Sequence, residues 1–218
     1  MAAGQRRRGN ATSPNAVVQL LNFQHLLCAV KVVLHNNSER TGITLNQMHF
    51  KGLIVSDDVR LTLTPVDNPL AAGYPASFSF NWIDPERNTT SPLFSASLGL
   101  TGQLISHGGS YTIPEPVSET EQYILLPPQD LAPLSANPRL EINYSYYDSG
   151  QAKTVTPPTK ALPLKTILNE SDDSPITSWQ AGRIYVYHIY LRVDGGVEVR
   201  VVTTKWETVN AQTPGIML

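Results

Sequence analysis

One segment near the C-terminus constrains the fold most strongly, because its residues predict a β-hairpin. Its first arm is Arg183-Ile-Tyr-Val-Tyr-His-Ile-Tyr-Leu-Arg-Val193, and its second arm runs from Val197 to Trp206. Runs rich in Val, Ile and Tyr with period-two alternation are typical of strands, and a short glycine-containing gap is typical of a turn. The gap here is Asp194-Gly195-Gly196, so we predict a hairpin with a three-residue loop.

The register follows from that loop length. A two-residue loop would set apolar residues against charged ones along the hairpin, whereas a three-residue loop pairs apolar with apolar. It also supports the sheet with one cross-strand pair of opposite charges. The predicted neighbours are Val193 with Val197, Leu191 with Val199, Ile189 with Val201, Arg192 with Glu198, and Ile184 near Trp206.

The first arm has one apolar face and one mixed face. A half-buried antiparallel sheet has this pattern, with one face on a core and the other against water or a partner. The residues predicted on the apolar face are Tyr185, Tyr187, Ile189, Leu191 and Val193.

Composition favours a β protein without a strong electrostatic partner. The chain has 218 residues, enough for one large β domain, and its 16 basic and 18 acidic residues nearly balance. Its 17 prolines, with abundant Thr, Ser and Asn, favour strands and loops. The single cysteine, Cys28, excludes an internal disulfide framework and a cysteine-rich zinc site, and we expect it to be buried.

Short strands recur along the chain without a long helical pattern, which predicts an all-β, antiparallel β-sandwich with long irregular loops. We place this domain at residues 16–206, after a disordered basic head at 1–15 and before a flexible tail at 207–218. The predicted strands before the last hairpin are Val30–Leu34, Ile43–Phe50, Val59–Leu63, Ala76–Trp82, Phe94–Leu104, Glu121–Leu126, Leu140–Tyr147 and Ala152–Thr156.

The search for catalytic chemistry finds no supporting pattern. The histidines, at 25, 35, 49, 107 and 188, include no pair at the close spacing of a helical or hairpin metal site. No nucleophile elbow, phosphate-binding loop or dinucleotide fingerprint occurs, so we expect a plain turn at residues 107–110. The expectation is a protein that is not an enzyme and has no metal and no cofactor.

Two features suggest binding and have competing explanations. Tyr144, Tyr146, Tyr147 and Trp82 would suit an aromatic platform for sugars, although aromatic residues also fill ordinary strands. Arg6, Arg7 and Arg8 would suit the nucleic-acid arm of a small viral coat protein. Three arginines neutralise few phosphates, so a site of proteolytic processing is the better interpretation of this basic head.

Three elements occur in an order that resembles the fimbrillin-like proteins of Bacteroidota. They are Leu21-Asn-Phe23-Gln-His25 and the apolar strand that follows, Tyr123-Ile-Leu-Leu-Pro127-Pro-Gln129, and Trp179-Gln-Ala-Gly182 with the last hairpin closing on Trp206. The resemblance implies a transthyretin-like, Greek-key β-sandwich exported as a lipoprotein to the outer membrane. It also implies assembly into surface fimbriae by strand donation, with other fimbrial subunits as partners, and adhesion to host or bacterial glycans or proteins.

The head of the chain departs from that family. Family members carry a signal peptide with a lipobox cysteine and an N-terminal β domain before the first of these elements. We therefore expect this chain to correspond to a C-terminal portion, with membrane contact only through an anchor that this sequence does not carry. The leading hypothesis is a non-catalytic structural, accessory or tip subunit of fimbriae that binds no nucleic acid. A surface carbohydrate-binding module and a small viral coat protein are the alternatives.

Overall fold

The computed structural model describes a set of strands separated by undescribed stretches. Residues 20–21, 58–63, 78–83 and 211–212 are described by their backbone pairing alone. The ranges described in full are 25–38, 42–54, 102–118, 120–132 and 137–206. The basic head and most of the tail lie outside these ranges, so the domain boundaries stay predictions.

Within the described ranges the chain forms seventeen strands and one 3-10 turn, Leu164–Thr166. No helix among these residues is long and apolar enough to span a membrane. The strands are β1 (Leu20–Leu21), β2 (Cys28–Asn36), β3 (Ile43–Lys51), β4 (Asp58–Leu63), β5 (Phe78–Ile83), β6 (Gln103–Ile105), β7 (Ser110–Ile113), β8 (Ile124–Leu126), β9 (Gln129–Asp130), β10 (Arg139–Asp148), β11 (Lys153–Val155), β12 (Lys160–Pro163), β13 (Leu168–Asn169), β14 (Ser178–Trp179), β15 (Arg183–Leu191), β16 (Val197–Lys205) and β17 (Ala211–Gln212).

Two sheets pack against each other and confirm the predicted all-β sandwich. The first has the order β11-β10-β3-β6, with β12 also on β10, and the second has the order β13-β16-β15-β2-β7, with β8 also on β2. Most pairs are antiparallel, as predicted, but β2 with β15 and β13 with β16 are parallel. Three short antiparallel pairs, β1–β17, β4–β5 and β9–β14, complete the described strands.

The core lies between the two sheets and is filled by alternate residues of their facing strands. Phe50 of the first sheet meets the ring of Tyr187 of the second edge-on, with centroids 5.6 Å apart. The buried Trp179 donates its indole N–H to the Tyr187 hydroxyl at 2.9 Å, so these large rings are buried without an unpaired polar tip. Cys28 is also buried, as predicted, and its thiol donates to the Leu126 carbonyl at 3.2 Å.

The C-terminal hairpin forms, but in a different register from the predicted one. Its loop is Val193-Asp194-Gly195, because Arg192 N–H donates to Gly196 O at 3.1 Å and Gly195 N–H donates to Arg192 O at 3.2 Å. Gly195 has φ +81°, so the last loop position is left-handed and favours glycine. The predicted loop length of three residues is confirmed. The predicted first loop residue, Asp194, is wrong by one position, because the loop begins at Val193.

This shift changes every predicted pair while keeping the faces of the strand. A displacement of two positions along the partner strand preserves the alternation of side chains. Four of the five predicted apolar-face residues of β15 and its extension are buried, whereas Val193 lies in the loop and is 38% exposed. The observed pairs are Leu191 with Val197, Tyr190 with Glu198, Ile189 with Val199, Tyr187 with Val201 and Ile184 with Thr204, while Arg192 faces Gly196.

We predict that Gly195→Ala destabilises the protein by about 1 kcal/mol or more, because a left-handed backbone is unfavourable for alanine. A Cβ at this position would also lie 3.4 Å from the Cβ of Pro157. Gly195→Asn is the matched variant, since asparagine tolerates this backbone conformation better. Urea denaturation should show a smaller loss for asparagine than for alanine. Equal losses would contradict the assigned turn geometry.

Candidate assembly edge

Strand β16 has one edge that is fully paired and one edge that the described strands pair only in part. All nine of its residues pair with β15 on one side. On the other side, β13 pairs in parallel only at Arg200 and Val201. No described strand lies beside the following stretch, from Val202 to Lys205. Within the part of the chain that the structure describes, the second sheet therefore has an unpaired edge at the end of its hairpin.

The hydrogen-bond pattern shows which groups face outward at this edge. Two hydrogen bonds lie on the β15 side. Trp206 N–H donates to Gly182 O at 2.8 Å, and Arg192 N–H donates to Gly196 O. Since bonding direction alternates along an antiparallel strand, the odd-numbered residues of β16 direct their backbone groups outward. Val201 O accordingly accepts from Glu170 N–H at 2.8 Å. Thr203 and Lys205 are the next outward-facing positions.

A groove of about 380 Å³ runs beside Thr203. The loop after β13 and the segment leading into β15 form its walls. The loop folds back on itself through Asn169 N–H to Ser174 O at 2.8 Å and Ile176 N–H to Ile167 O at 3.0 Å. The polar residues lining the groove are Asn169, Ser171, Thr177, Ser178, Gln180, Arg183, Tyr185 and Thr203.

Two hydroxyl groups at the groove differ in their hydrogen bonding. The Tyr185 hydroxyl accepts from Gln180 N–H at 2.8 Å and donates to Ser178 O at 3.3 Å, and its burial raises the pKa of the phenol. The Thr203 Oγ1 is buried and has no hydrogen-bond partner among the described residues. A buried hydroxyl without a partner is unfavourable, so its replacement by an apolar group should cost little stability.

The open end of the groove carries positive charge. Arg183 and Lys205 lie directly opposite each other on β15 and β16. Neither forms an ion pair with a described acidic residue. Like charges at opposite positions disfavour the pairing, and a carboxylate from outside would relieve their repulsion. An unpaired sheet edge of this kind can accept an extended segment, whose main chain would bond to Thr203 and Lys205.

The predicted aromatic platform does not form from the three tyrosines. Tyr144 is buried, and its hydroxyl donates to Arg192 O at 2.6 Å, with Gly196 O 3.2 Å away. This burial raises the pKa of Tyr144 to about 12. Tyr146 packs against the core, whereas Tyr147, on the opposite face of β10, is 52% exposed. Alternation along β10 places Tyr147 on the face opposite Tyr144 and Tyr146.

The other predicted site residues lie outside what the structure describes. Arg6, Arg7 and Arg8 belong to the undescribed head, and Trp82 is in β5, whose backbone pairing alone is described. The processing-site interpretation stays a prediction. The predicted turn at residues 107–110 does form, with Gly109 N–H donating to Ser106 O at 2.9 Å.

Two polar features escaped the sequence interpretation. Thr203 and Arg183 have no unusual local pattern, so nothing in the sequence marks the groove that they line. His35 and His188 are far apart in the chain, yet His35 Nε2 lies 3.0 Å from His188 Nδ1. The described residues contain no group of three or more His, Cys, Asp or Glu suited to a metal ion.

Comparisons with known proteins include distant structural similarities. No protein-family model matches the chain, and no curated protein matches its sequence significantly. A crystal structure from Bacteroides uniformis, named "putative cell adhesion protein", matches with 12% identity and a TM-score of 0.29 over 86% of this chain. A similarly named structure from Parabacteroides distasonis matches with 9% identity and a TM-score of 0.34 over 81% of this chain. This chain spans 53% and 59% of their lengths, respectively.

We predict that Tyr144→Phe lowers the free energy of unfolding by about 1–2 kcal/mol, because it removes a buried hydrogen bond to the hairpin turn. Tyr147→Phe is the matched control on the same strand and should change stability by less than about 0.5 kcal/mol, because Tyr147 is exposed. Chemical denaturation measures both. Equal effects would mean that the Tyr144 hydroxyl does not support the turn.

We predict that Thr203→Val leaves the protein equally stable or stabilises it by up to about 1 kcal/mol. The change replaces a buried hydroxyl that lacks a partner with a methyl group. Thr204→Val, at the exposed neighbouring position, is the control and should have little effect. Thermal melts and urea titrations provide the comparison. A clear destabilisation by Thr203→Val alone would show that its hydroxyl has a partner.

Proposed function

We propose that this chain is a non-catalytic subunit of bacterial surface fimbriae that assembles by strand donation and serves adhesion. The open edge of β16 beside the polar groove is the observation that carries this proposal. An incoming strand would add at Thr203–Lys205 and continue the sheet beyond β13. Main-chain hydrogen bonds would supply affinity, and the groove would select side chains.

The sequence elements that resemble fimbrillins also meet in space, which supports treating them as one unit. β8, in the Tyr123–Gln129 element, pairs with β2 through Cys28 and Leu126. Gly182 N–H donates to Leu27 O at 3.0 Å, and the rings of His25 and Trp206 stack with centroids 3.9 Å apart. The three elements therefore converge at the end of the second sheet where the edge of β16 is open.

The charge at the edge defines the donor more closely. Because Arg183 and Lys205 face each other without a described acidic partner, a donor strand with a carboxylate near this end would bind better than a neutral one. Other fimbrial subunits are the proposed partners, and the cell surface is the proposed location. Whether the chain's own tail acts as donor depends on residues outside those described.

Thr203→Pro tests strand addition at this edge. Proline removes an outward-facing N–H, and proline is tolerated on edge strands where the N–H does not bond within the sheet. We expect the purified protein to form polymers, with or without limited trypsin treatment of the basic head. In the variant, we expect polymers to be at least about tenfold rarer, since one of the few outward main-chain groups is lost. Negative-stain microscopy and size-exclusion chromatography with light scattering measure assembly.

Thr203→Ser is the matched control, because it alters the same side chain but keeps both the hydroxyl group and the backbone N–H. It should polymerise like the natural sequence, and both variants should give the same far-ultraviolet circular dichroism spectrum. A strictly monomeric natural protein, even after trimming, would contradict polymerisation. Normal assembly by the folded proline variant would place strand addition elsewhere.

The two alternative functions have less support from geometry. A sugar platform built on Tyr144, Tyr146 and Tyr147 is disfavoured because these side chains are divided between the core and the surface. The viral-coat hypothesis depends on Arg6, Arg7 and Arg8, which are outside the described residues. Retention of RNA at low salt, lost on replacing these arginines, would revive it.

A further inference from the structure

Two imidazole rings meet on the outer face of the second sheet. His35 Nε2 and His188 Nδ1 form a hydrogen bond at 3.0 Å, with the donor set by the tautomers, and the ring planes differ by 20°. The ring centroids are 5.3 Å apart, so the nitrogen atoms lie between the rings, which meet edge to edge. Both side chains are partly exposed and thus accessible from solvent.

The parallel pairing of β2 with β15 creates this contact. His188 stands opposite Val33, and His35 stands opposite Tyr190. The two histidines are therefore diagonal neighbours on adjacent strands. Both also alternate with buried residues, which puts them on the same outer face of the sheet.

The surroundings hold the rings and limit repulsion of a cation. The Tyr190 ring lies over His35, with centroids 4.7 Å apart and planes 16° apart. Arg200 is opposite His188, but its guanidinium contacts Asp173 at 2.5 Å and Glu198 at 3.5 Å. These two carboxylates offset the charge of Arg200. Burial, and then the proximity of His188, lower the pKa of His35 and favour the neutral imidazole at pH 7.

We propose that His35 and His188 form a two-imidazole binding site for a divalent transition-metal ion of the Cu²⁺, Ni²⁺ and Zn²⁺ group. Two nitrogen ligands at about 2.0–2.1 Å from such an ion, with cis or tetrahedral angles, lie about 2.9–3.4 Å apart. The observed separation is within that range. Metal binding replaces the hydrogen bond between the two nitrogens, and it requires tautomers that leave a lone pair on both. The rings must also rotate to direct both lone pairs to one point, and the χ2 torsion of histidine is broad.

The chemistry of the pair sets the expected ion preference. Neutral imidazole is a good ligand for these ions. A nitrogen site binds Cu²⁺ more tightly than it binds Ni²⁺ or Zn²⁺. Two protein ligands leave the remaining positions to water or to groups from another molecule. The site lies away from the open edge of β16 and is independent of the proposed assembly function.

The test uses the untagged, full chain and Cu²⁺, Ni²⁺ or Zn²⁺ alone at pH 7.5. Isothermal titration calorimetry should detect one ion per chain, with Cu²⁺ bound most tightly. His35→Gln and His188→Asn each retain a polar side chain and should each weaken Cu²⁺ binding at least about tenfold, since each removes one of two ligands. The double variant should be only slightly weaker than either single variant. His107→Gln, at an exposed histidine elsewhere, should bind like the natural sequence.

Electron paramagnetic resonance of the Cu²⁺ complex provides a second readout. Coupling to two imidazole nitrogens is expected for the natural protein and coupling to one for either single variant. Circular dichroism confirms that each variant is folded, and either variant alone suffices if the other unfolds. No Cu²⁺ binding by the natural protein would overturn the proposal. Unchanged affinity in the folded variants, or equal weakening by His107→Gln, would also overturn it.

Discussion

The double pairing of β15 is the constraint on which the rest of the structure depends. This strand is bonded to β16 along nine residues and to β2 along eight. Because both of its edges are occupied, its side chains have fixed directions. Tyr185, Tyr187, Ile189 and Leu191 fill the core, and His188 and Tyr190 lie on the outer face. The core and the histidine pair thus have one common cause.

The two sides of β15 differ in how far the neighbouring strand is itself paired, and the proposed function depends on this difference. On one side of β15, β2 is covered in turn by β7 and β8. On the other side, the described strand β13 pairs with β16 only at Arg200 and Val201. An unpaired edge invites intermolecular pairing, and proteins commonly obstruct such edges. Here a polar groove lies beside the edge.

Local chemistry made the strands and turns predictable. Alternation along Val30–Leu34 and along Leu140–Tyr147 predicted two strands, which the structure contains as β2 and β10. The strand predicted after Leu140–Tyr147 is β11, and it pairs with β10 at Tyr146 and Val155. The last hairpin was also predicted, including its loop length. Its exact register was not, because two consecutive glycines, Gly195 and Gly196, allow two placements of the left-handed residue. The observed turn places Gly195 at this position.

The sequence by itself determined the fold class, the inward face of β15 and the burial of Cys28, because hydrophobic alternation acts between near neighbours in the chain. Only the tertiary structure decided the parallel pairing of β2 with β15, which depends on the packing of distant segments. That pairing brought His35 to His188 across 153 residues. Tertiary packing also buried Tyr144 against the hairpin turn and left Thr203 at an open edge. Strand pairing depends on long-range complementarity, which local periodicity does not encode.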